Sequence, residues 1–324
     1  MKKYCLFLLL LISLSAEAQL SGCTDVLAKN YNPSAVLNDG SCVYGNTKIA
    51  PVFSVTLSYT LNETSGLVYF DNQLWTHNDD TDSNIYALDT IGKITNRYPL
   101  GVKNTDWEEL SHDSTYFYIG NFGNNATGIR KDLHILRIDK LSLKENNPRL
   151  DTISFNYSNQ VDFIRKKANT TDFDCEAFIV SKDSIYLFTK QWTGKKTAVY
   201  VLPKVPGTYT AQFKSELDTN GLITGATYLE EKKLLVLCGY SKQLKPFLYL
   251  LYDFKNNDLF SGNKRKIALA LPYHQVEGIT TQNGLHYYIS NEHFRLKPII
   301  NIQQQLHQLD LSSFLHLYLG NQNH

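Results

Sequence analysis

The chain lacks the signatures by which most soluble enzymes are recognised. It contains no G-x-S-x-G turn and no P-loop, which leaves serine-hydrolase and P-loop nucleotide chemistry unsupported. Its nine histidines show no H-x-x-H or H-E-x-x-H spacing, so a zinc centre is not expected. There is no basic stripe and no long run of one charge. With 32 Lys and Arg against 31 Asp and Glu, a nucleic-acid partner is not expected. Beyond the N-terminus no stretch is apolar enough to cross a bilayer, which takes about 20 residues, so no transmembrane segment is expected. From Pro51 onward there is no convincing amphipathic helix.

What is present begins with a leader. Lys2-Lys3, the apolar run from Leu6 to Leu14 and Ala16-Glu17-Ala18 are the basic, apolar and cleavage regions of a secretory signal peptide. Removal of residues 1–18 would take two lysines and one glutamate, leaving 30 basic and 30 acidic residues. A secreted, periplasmic or cell-surface protein is expected, and a monomer. Leu20-Ser21-Gly22-Cys23 also fits a lipidation box, so a lipid anchor on Cys23 is the alternative, although Glu17 and Gln19 sit awkwardly before that cysteine.

Cleavage leaves Cys23, Cys42, Cys175 and Cys238. Residues 19–50 form a small segment in which Gly22 to Cys42 resembles a short cysteine-bounded repeat found near the termini of many secreted bacterial proteins. So small a loop cannot bury a core, and a 23–42 bridge is its natural staple, worth roughly 3 kcal/mol in the chain-entropy model. Asn38-Asp39-Gly40 reads as an ordinary turn rather than a calcium turn. Cys175 and Cys238 read as separate buried thiols.

Residues 51–324 offer short runs rich in Tyr, Phe, Val, Ile and Thr between Asn, Asp, Gly and Lys, the pattern of an all-β domain. These runs repeat in phase. Ser65, Glu108, Glu176, Thr224 and Glu277 align in one column, followed by Gly66, Glu109, Ala177, Gly225 and Gly278, and then by Leu67, Leu110, Phe178, Ala226 and Ile279. Ten residues past the column come Trp75, Tyr118, Tyr186, Leu234 and Tyr287, each inside a short strand. Spacings of 43, 68, 48 and 53 residues leave room for a four-stranded sheet per copy, and radial repetition of such sheets makes a β-propeller. Five blades are expected, or six if the long second copy hides another; its extra segment from Asn156 to Thr171 reads as a loop. About three strands remain after Glu277. The alternation of Phe53, Val55, Leu57 and Tyr59 with polar residues predicts an N-terminal strand that closes the ring.

In a propeller the first strand of each blade lines the axis, so the column would gather three glutamates and two hydroxyls around a narrow channel. Carboxylates about 5 Å apart repel by roughly 3 kcal/mol per pair at an effective dielectric of 20. Calcium would offset this, since it takes 6–8 oxygen ligands in flexible geometry. The competing reading is that each glutamate accepts hydrogen bonds that lock neighbouring blades.

The order hydroxyl, Glu, Glu, hydroxyl, Glu resembles that of the calcium-activated nucleotidases (apyrases), five-bladed propellers with one calcium on the axis. Glu108 stands ten residues before Tyr118-Ile119-Gly120, Glu176-Ala177 and Glu277-Gly278-Ile279 match further motifs, and Trp75 to Asp79 falls where that family carries a paired-aspartate loop. The resemblance covers most of residues 60–295 and implies a metal set of Ser65, Glu108, Glu176, Thr224 and Glu277. Asp80 stands where the family has an arginine, and the Gly120–Asn125 loop lacks its Lys-Glu-Trp continuation. Phosphate-binding cations would have to come from Arg130, Lys190, Lys195 and Lys242.

Asp79 and Asn121, at the ends of second strands, are candidate catalytic residues at a polar mouth. Trp192 beside Lys190 reads as a rim aromatic or a ligand grip. The expected protein is an exported calcium-binding propeller that takes an unidentified small ligand or protein at its mouth. The alternative is a calcium-dependent hydrolase of phosphate esters or anhydrides, with Asp79 helping to activate a water.

Overall fold

The computed structural model describes residues 20–321, so the leader expected at 1–18 lies outside it. The chain is all-β. It enters through three two-residue strands, β1 (Ser21–Gly22), β2 (Leu37–Asn38) and β3 (Lys48–Ile49), and then β4 (Phe53–Thr56). A first antiparallel unit follows: β5 (Thr64–Phe70), β6 (Gln73–Asn78), β7 (Asn84–Leu88) and β8 (Ile94–Pro99). The second is β9 (Trp107–His112), β10 (Tyr116–Asn121), β11 (His134–Asp139) and β12 (Leu150–Tyr157), with a one-turn helix α1 (Lys140–Lys144) before its last strand. The third is β13 (Cys175–Val180), β14 (Ser184–Thr189), β15 (Lys196–Pro203) and β16 (Gly207–Asp218). The fourth is β17 (Leu222–Leu229), β18 (Leu234–Tyr240), β19 (Pro246–Tyr252) and β20 (Asn263–Leu269), with β3 added along the edge of β20. The last contains β21 (Val276–Thr281), β22 (His286–Asn291), a side hairpin of β23 (Phe294–Leu296) and β24 (Ile300–Ile302), and β25 (Gln305–Asp310). Helix α2 (Ser312–Asn321) follows.

The five first strands touch in cyclic order, β5 to β9 to β13 to β17 to β21 and back to β5, the arrangement of a β-propeller. Aromatic and branched side chains of the repeats fill the space between consecutive units. Trp75, Phe117 and Ile138 lie between the first and second, Phe122, Phe155 and Phe178 between the second and third, and Leu67, Leu74 and Leu306 between the last and first. Second strands are covered on both faces, which is why β18 is buried along its whole length. One joint is different: β12 and β16 pair in parallel, joining the second and third units into one eight-stranded sheet. The second copy is long because residues 158–174 form a strandless loop, as its polar composition predicts.

Strand β4 pairs antiparallel with β25 and closes the ring. It stops at Thr56, shorter than the alternation to Tyr59 implies; Tyr59 lies in a short 3₁₀ turn and is 76 % exposed. The closure is pinned by a side-chain relay. Asn291 donates from its amide nitrogen to the carbonyls of Glu292 and Gln303, so its oxygen faces His307 Nε2 at 2.8 Å. That makes Nε2 the protonated nitrogen and leaves Nδ1 to accept from the Ser54 hydroxyl at 2.7 Å. Burial, then the nearby His274, pulls the His307 pKa down to about 3, so the ring stays neutral in this role. His307→Ala is expected to cost about 2 kcal/mol, the usual penalty for orphaning a buried acceptor. Ser54→Ala, at an exposed position, should cost less than about 1 kcal/mol. Denaturant midpoints of the two variants would check this ordering.

The sequence offers no convincing amphipathic helix after Pro51, yet the described chain ends in α2, whose apolar residues are not confined to one clean stripe. Phe314, Leu315, Tyr318 and Leu319 form one face over the core between the fourth and last units, and Asp310 accepts from the Ser312 N–H to start it. Its Phe/Leu/Tyr composition resembles that of the strands, which hides the helical spacing.

The N-terminal segment carries the Cys23–Cys42 disulfide, which leaves no thiol on Cys23 to take a lipid. It docks on the fourth unit: Asn38 donates to Asp253 and Asn263, and Tyr44 donates to Asp25 beside the Tyr252 hydroxyl. Asn38 and Asp39 accept from the Gly40 and Ser41 N–H groups, the geometry of an ordinary turn. Cys175 and Cys238 are free and buried.

Candidate cation site at the mouth of the ring

In every first strand the column residue sits where the register with the second strand slips. Trp107 and Leu110 pair with Asn121 and Ile119, so Glu108 and Glu109 together face Gly120. Glu176, Thr224 and Glu277 are the extra residues of the corresponding slips in β13, β17 and β21, and Ser65-Gly66 fills the one in β5. A β-bulge re-aims the extra side chain, and here it does so five times around one axis. All five column residues are at most 7 % exposed.

The residue after the column is small because neighbouring first strands approach there. A Cβ on Gly66 would overlap the Leu110 backbone, and one on Gly225 would overlap the Glu277 carbonyl. Glu109 is the exception, and it fills the axis that the others leave open. It is fully buried, accepts from its neighbour Leu110 N–H at 2.9 Å and, across the ring, from Ala226 N–H at 2.8 Å. The Leu67 N–H also favours its charged form, yet burial outweighs these bonds and raises its pKa well above the usual range. Below it, a cavity of about 300 Å³ opens on the opposite face, lined among others by Leu67, Leu110, Ala226 and Tyr228.

The column residues have different partners. Ser65 donates to the Glu108 carbonyl and Thr224 to the Val276 carbonyl, so both hydroxyls tie one first strand to the next. Glu176 Oε1 lies 3.1 Å from Lys190 Nζ, with both side chains about 5 % exposed or less. The ammonium also stands over the rings of Trp192 and Tyr240, at 4.9 and 5.4 Å from their centroids. Burial pulls the Lys190 pKa down, but Glu176, Tyr240, Glu277 and Asp174 together hold it well above its ordinary value. Burial raises Glu108, with Glu176, Asp106, Asp174 and Asp79 adding repulsion. It also raises Glu277, where Lys190 offsets part of the effect while Glu292, Glu176 and Asp79 add to it. Gly123 packs so closely on the Asp106 and Glu108 carboxylates that a side chain there would collide with both.

One residue past the second strands stand Asp79, Phe122, Lys190, Ser241 and Glu292, of which Phe122 packs into the core between the second and third units. Asp79 and Glu292, from the first and last units, meet Glu63; one carboxylate oxygen from each lies within 4.8 Å of the other two. Burial and then the neighbouring acids push Asp79 up to about 8 and Glu292 up to about 8, and Glu63 is also raised, by its partial burial. Asp106 is pushed up to about 6. Such a set of hard oxygens, short of positive charge, fits calcium. Of the ring residues, Glu108 and Glu277 have no cation within salt-bridge distance among the described residues.

Asn121 and its loop turn inward. The Asn121 oxygen accepts from Arg130 at 2.7 Å, and Arg130 also donates to the Asn121 and Gly123 carbonyls. Asn124 N–H donates to Asp174 Oδ1, and the Trp192 indole N–H to Asp174 Oδ2 at 2.7 Å. Trp192 is therefore partly buried against the third unit. Lys195 and Lys242 are exposed on loops. Glu63, Asp106, Asp174 and Glu292 were missed as site residues by sequence reasoning. The signal available for Glu292 was its place one residue after a second strand, matching Asp79.

No protein-family model matches the chain, and no curated protein does. Among solved structures, that of a streptogramin B lyase matches at 11 % identity over 80 % of this chain and 87 % of that one, with a TM-score of 0.39. The computationally designed Ika4 protein matches at 10 % identity over 61 % of this chain and 95 % of that one, with a TM-score of 0.30. The propeller assignment rests on strand pairing and first-strand contacts within the chain itself.

Proposed function

We propose that the chain is an exported five-bladed propeller that binds calcium at its mouth and acts as a ligand- or protein-binding module outside the cell. The blade count takes the fused eight-stranded sheet as two blades, in keeping with its two first strands, β9 and β13. Export is in line with the leader sequence and with the 23–42 bridge, since disulfides persist in oxidising compartments. One observation carries the ion: Glu63, Asp79 and Glu292 converge beside Glu108 and Glu277, and burial together with mutual repulsion raises their pKa values. We assign the first three as principal ligands and the two ring glutamates as further oxygens in reach; Ser65, Thr224 and Glu176 contribute through the contacts that shape the ring.

Binding is preferred to hydrolysis because the two candidate phosphate-holding cations nearest the mouth, Arg130 and Lys190, are committed elsewhere, while Lys195 and Lys242 are exposed on loops. Arg130 is bonded to backbone carbonyls and to Asn121 and Asp132, and Lys190 to Glu176. Calcium at about a hundred times its Kd should add about 2.7 kcal/mol and raise the melting temperature by about 5 °C over that in chelator. Glu63→Gln with Asp79→Asn should abolish the rise. Equal melting temperatures in calcium and chelator would remove the ion from this reading. Hydrolysis of a nucleoside diphosphate well above background, dependent on calcium, would favour the enzyme instead.

A further inference from the structure

At the position one residue past the second strand, the first and last units present Asp79 and Glu292, while the third presents Lys190. Lys190 is not a surface lysine that happens to reach an acid. Its backbone N–H is bonded to the Asp174 carbonyl at 2.7 Å, which fixes where the side chain starts. Its ammonium is 3.1 Å from Glu176 and lies over two aromatic rings. The Trp192 ring is itself oriented by the bond from its indole N–H to Asp174, independently of the ammonium. A buried ammonium needs a paired carboxylate to offset its desolvation, and aromatic faces add cation–π attraction.

We propose that the mouth has two cation positions, and that the Lys190 ammonium is the permanent occupant of one of them. It takes the side formed by Glu176 and Glu277 and so limits the protein to a single divalent ion, displaced from the axis toward Glu63, Asp79 and Glu292. The inference rests on the cation reading above but makes its own claim, about number and place. Removing the ammonium while keeping the acids would open the second position to a hard cation, because Glu176 and Glu277 would then lack any counter-charge. Lys190→Arg would keep the position filled.

The test is calcium titration calorimetry on the full chain, for the native protein, Lys190→Met and Lys190→Arg, with circular dichroism to establish folding. The native protein and Lys190→Arg are expected to bind one ion, and Lys190→Met two; one ion bound more tightly by Lys190→Met would reflect relief of repulsion alone and would overturn the second position. If the native protein binds none and Lys190→Met binds one, the functional reading fails and the second position stands. If a folded Lys190→Met binds as the native protein does, or if neither binds, the second position is overturned. Should Lys190→Met fold only in millimolar calcium, the ion has replaced the ammonium and the proposal holds. Failure to fold even then overturns it.

Discussion

At pH 5 in chelator, Glu109→Leu is expected to lose about 4 kcal/mol of stability, while Glu108→Gln, the next residue in the chain, is expected to change it by less than about 1 kcal/mol. Glu109 offers acceptors to backbone N–H groups of β9 and β17, and lies close to that of β5 as well. Leucine fills similar space and accepts nothing, so two or three buried donors are orphaned at roughly 1–3 kcal/mol each. The choice of pH matters. Near pH 5 a carboxyl with an ordinary unfolded pKa of about 4.3 spends little free energy on being held neutral in the fold. The orphaned donors therefore decide the result. Glu108 has no such donors, and its difficulty is burial, with the charge around it adding to the cost. At pH 8, still in chelator, Glu108→Gln should therefore raise the melting temperature above that of the native protein, and it should weaken calcium binding. Equal losses for the two variants at pH 5 would mean that both glutamates serve as interblade locks.

Without calcium, stability should fall as the pH rises from about 4 to about 8. The direction follows from linkage: a group whose folded pKa lies above its unfolded value stabilises the fold below the unfolded pKa and loses that contribution as pH passes the folded one. Asp79 and Glu292, both raised to about 8, set the upper end of the window, and Asp106, raised to about 6, contributes to its middle. Taken singly, shifts of this size would be worth several kcal/mol each. The groups share one site and are partly hydrated, so a total of about 3 kcal/mol is expected, or about 5 °C in melting temperature. Saturating calcium should flatten the decline, because the ion favours the ionised carboxylates and displaces their protons. Thermal melts from pH 4.5 to 8.5, with chelator and with calcium, would check both parts. A chelator curve that is flat or rises toward pH 8 would contradict the charge crowding.

The phase of the column was legible because a bulge is a local event. Its residue lies ten positions before a residue of the next strand in every unit, so Ser65, Glu108, Glu176, Thr224 and Glu277 could be aligned without knowing how the sheets pack, although the hairpins of the fourth and last units are longer by two residues and one. The ring closure was legible too, in the alternation of Phe53 to Tyr59, although the strand itself stops at Thr56. What could not be read was which oxygens are spent. Ser65 and Thr224 donate to backbone carbonyls 43 and 52 residues away, and only the packed ring shows that. Glu109 stood in a column of small residues, and nothing in its neighbours indicates that it reaches β17. Lys190 was visible as a possible grip for an anion; the acids around it come from other strands and give it the opposite role. The Glu63, Asp79 and Glu292 group draws on two units that are adjacent only because the ring closes.

Glu109 also decides how the two ends of the axis communicate. With its carboxylate bonded across the ring and no exposed surface, it stands between the acidic mouth and the 300 Å³ cavity on the opposite face. The axis is thus a blind well rather than a conduit. An ion bound at the mouth as proposed would have to enter and leave by that side, so the loops there would govern its residence time.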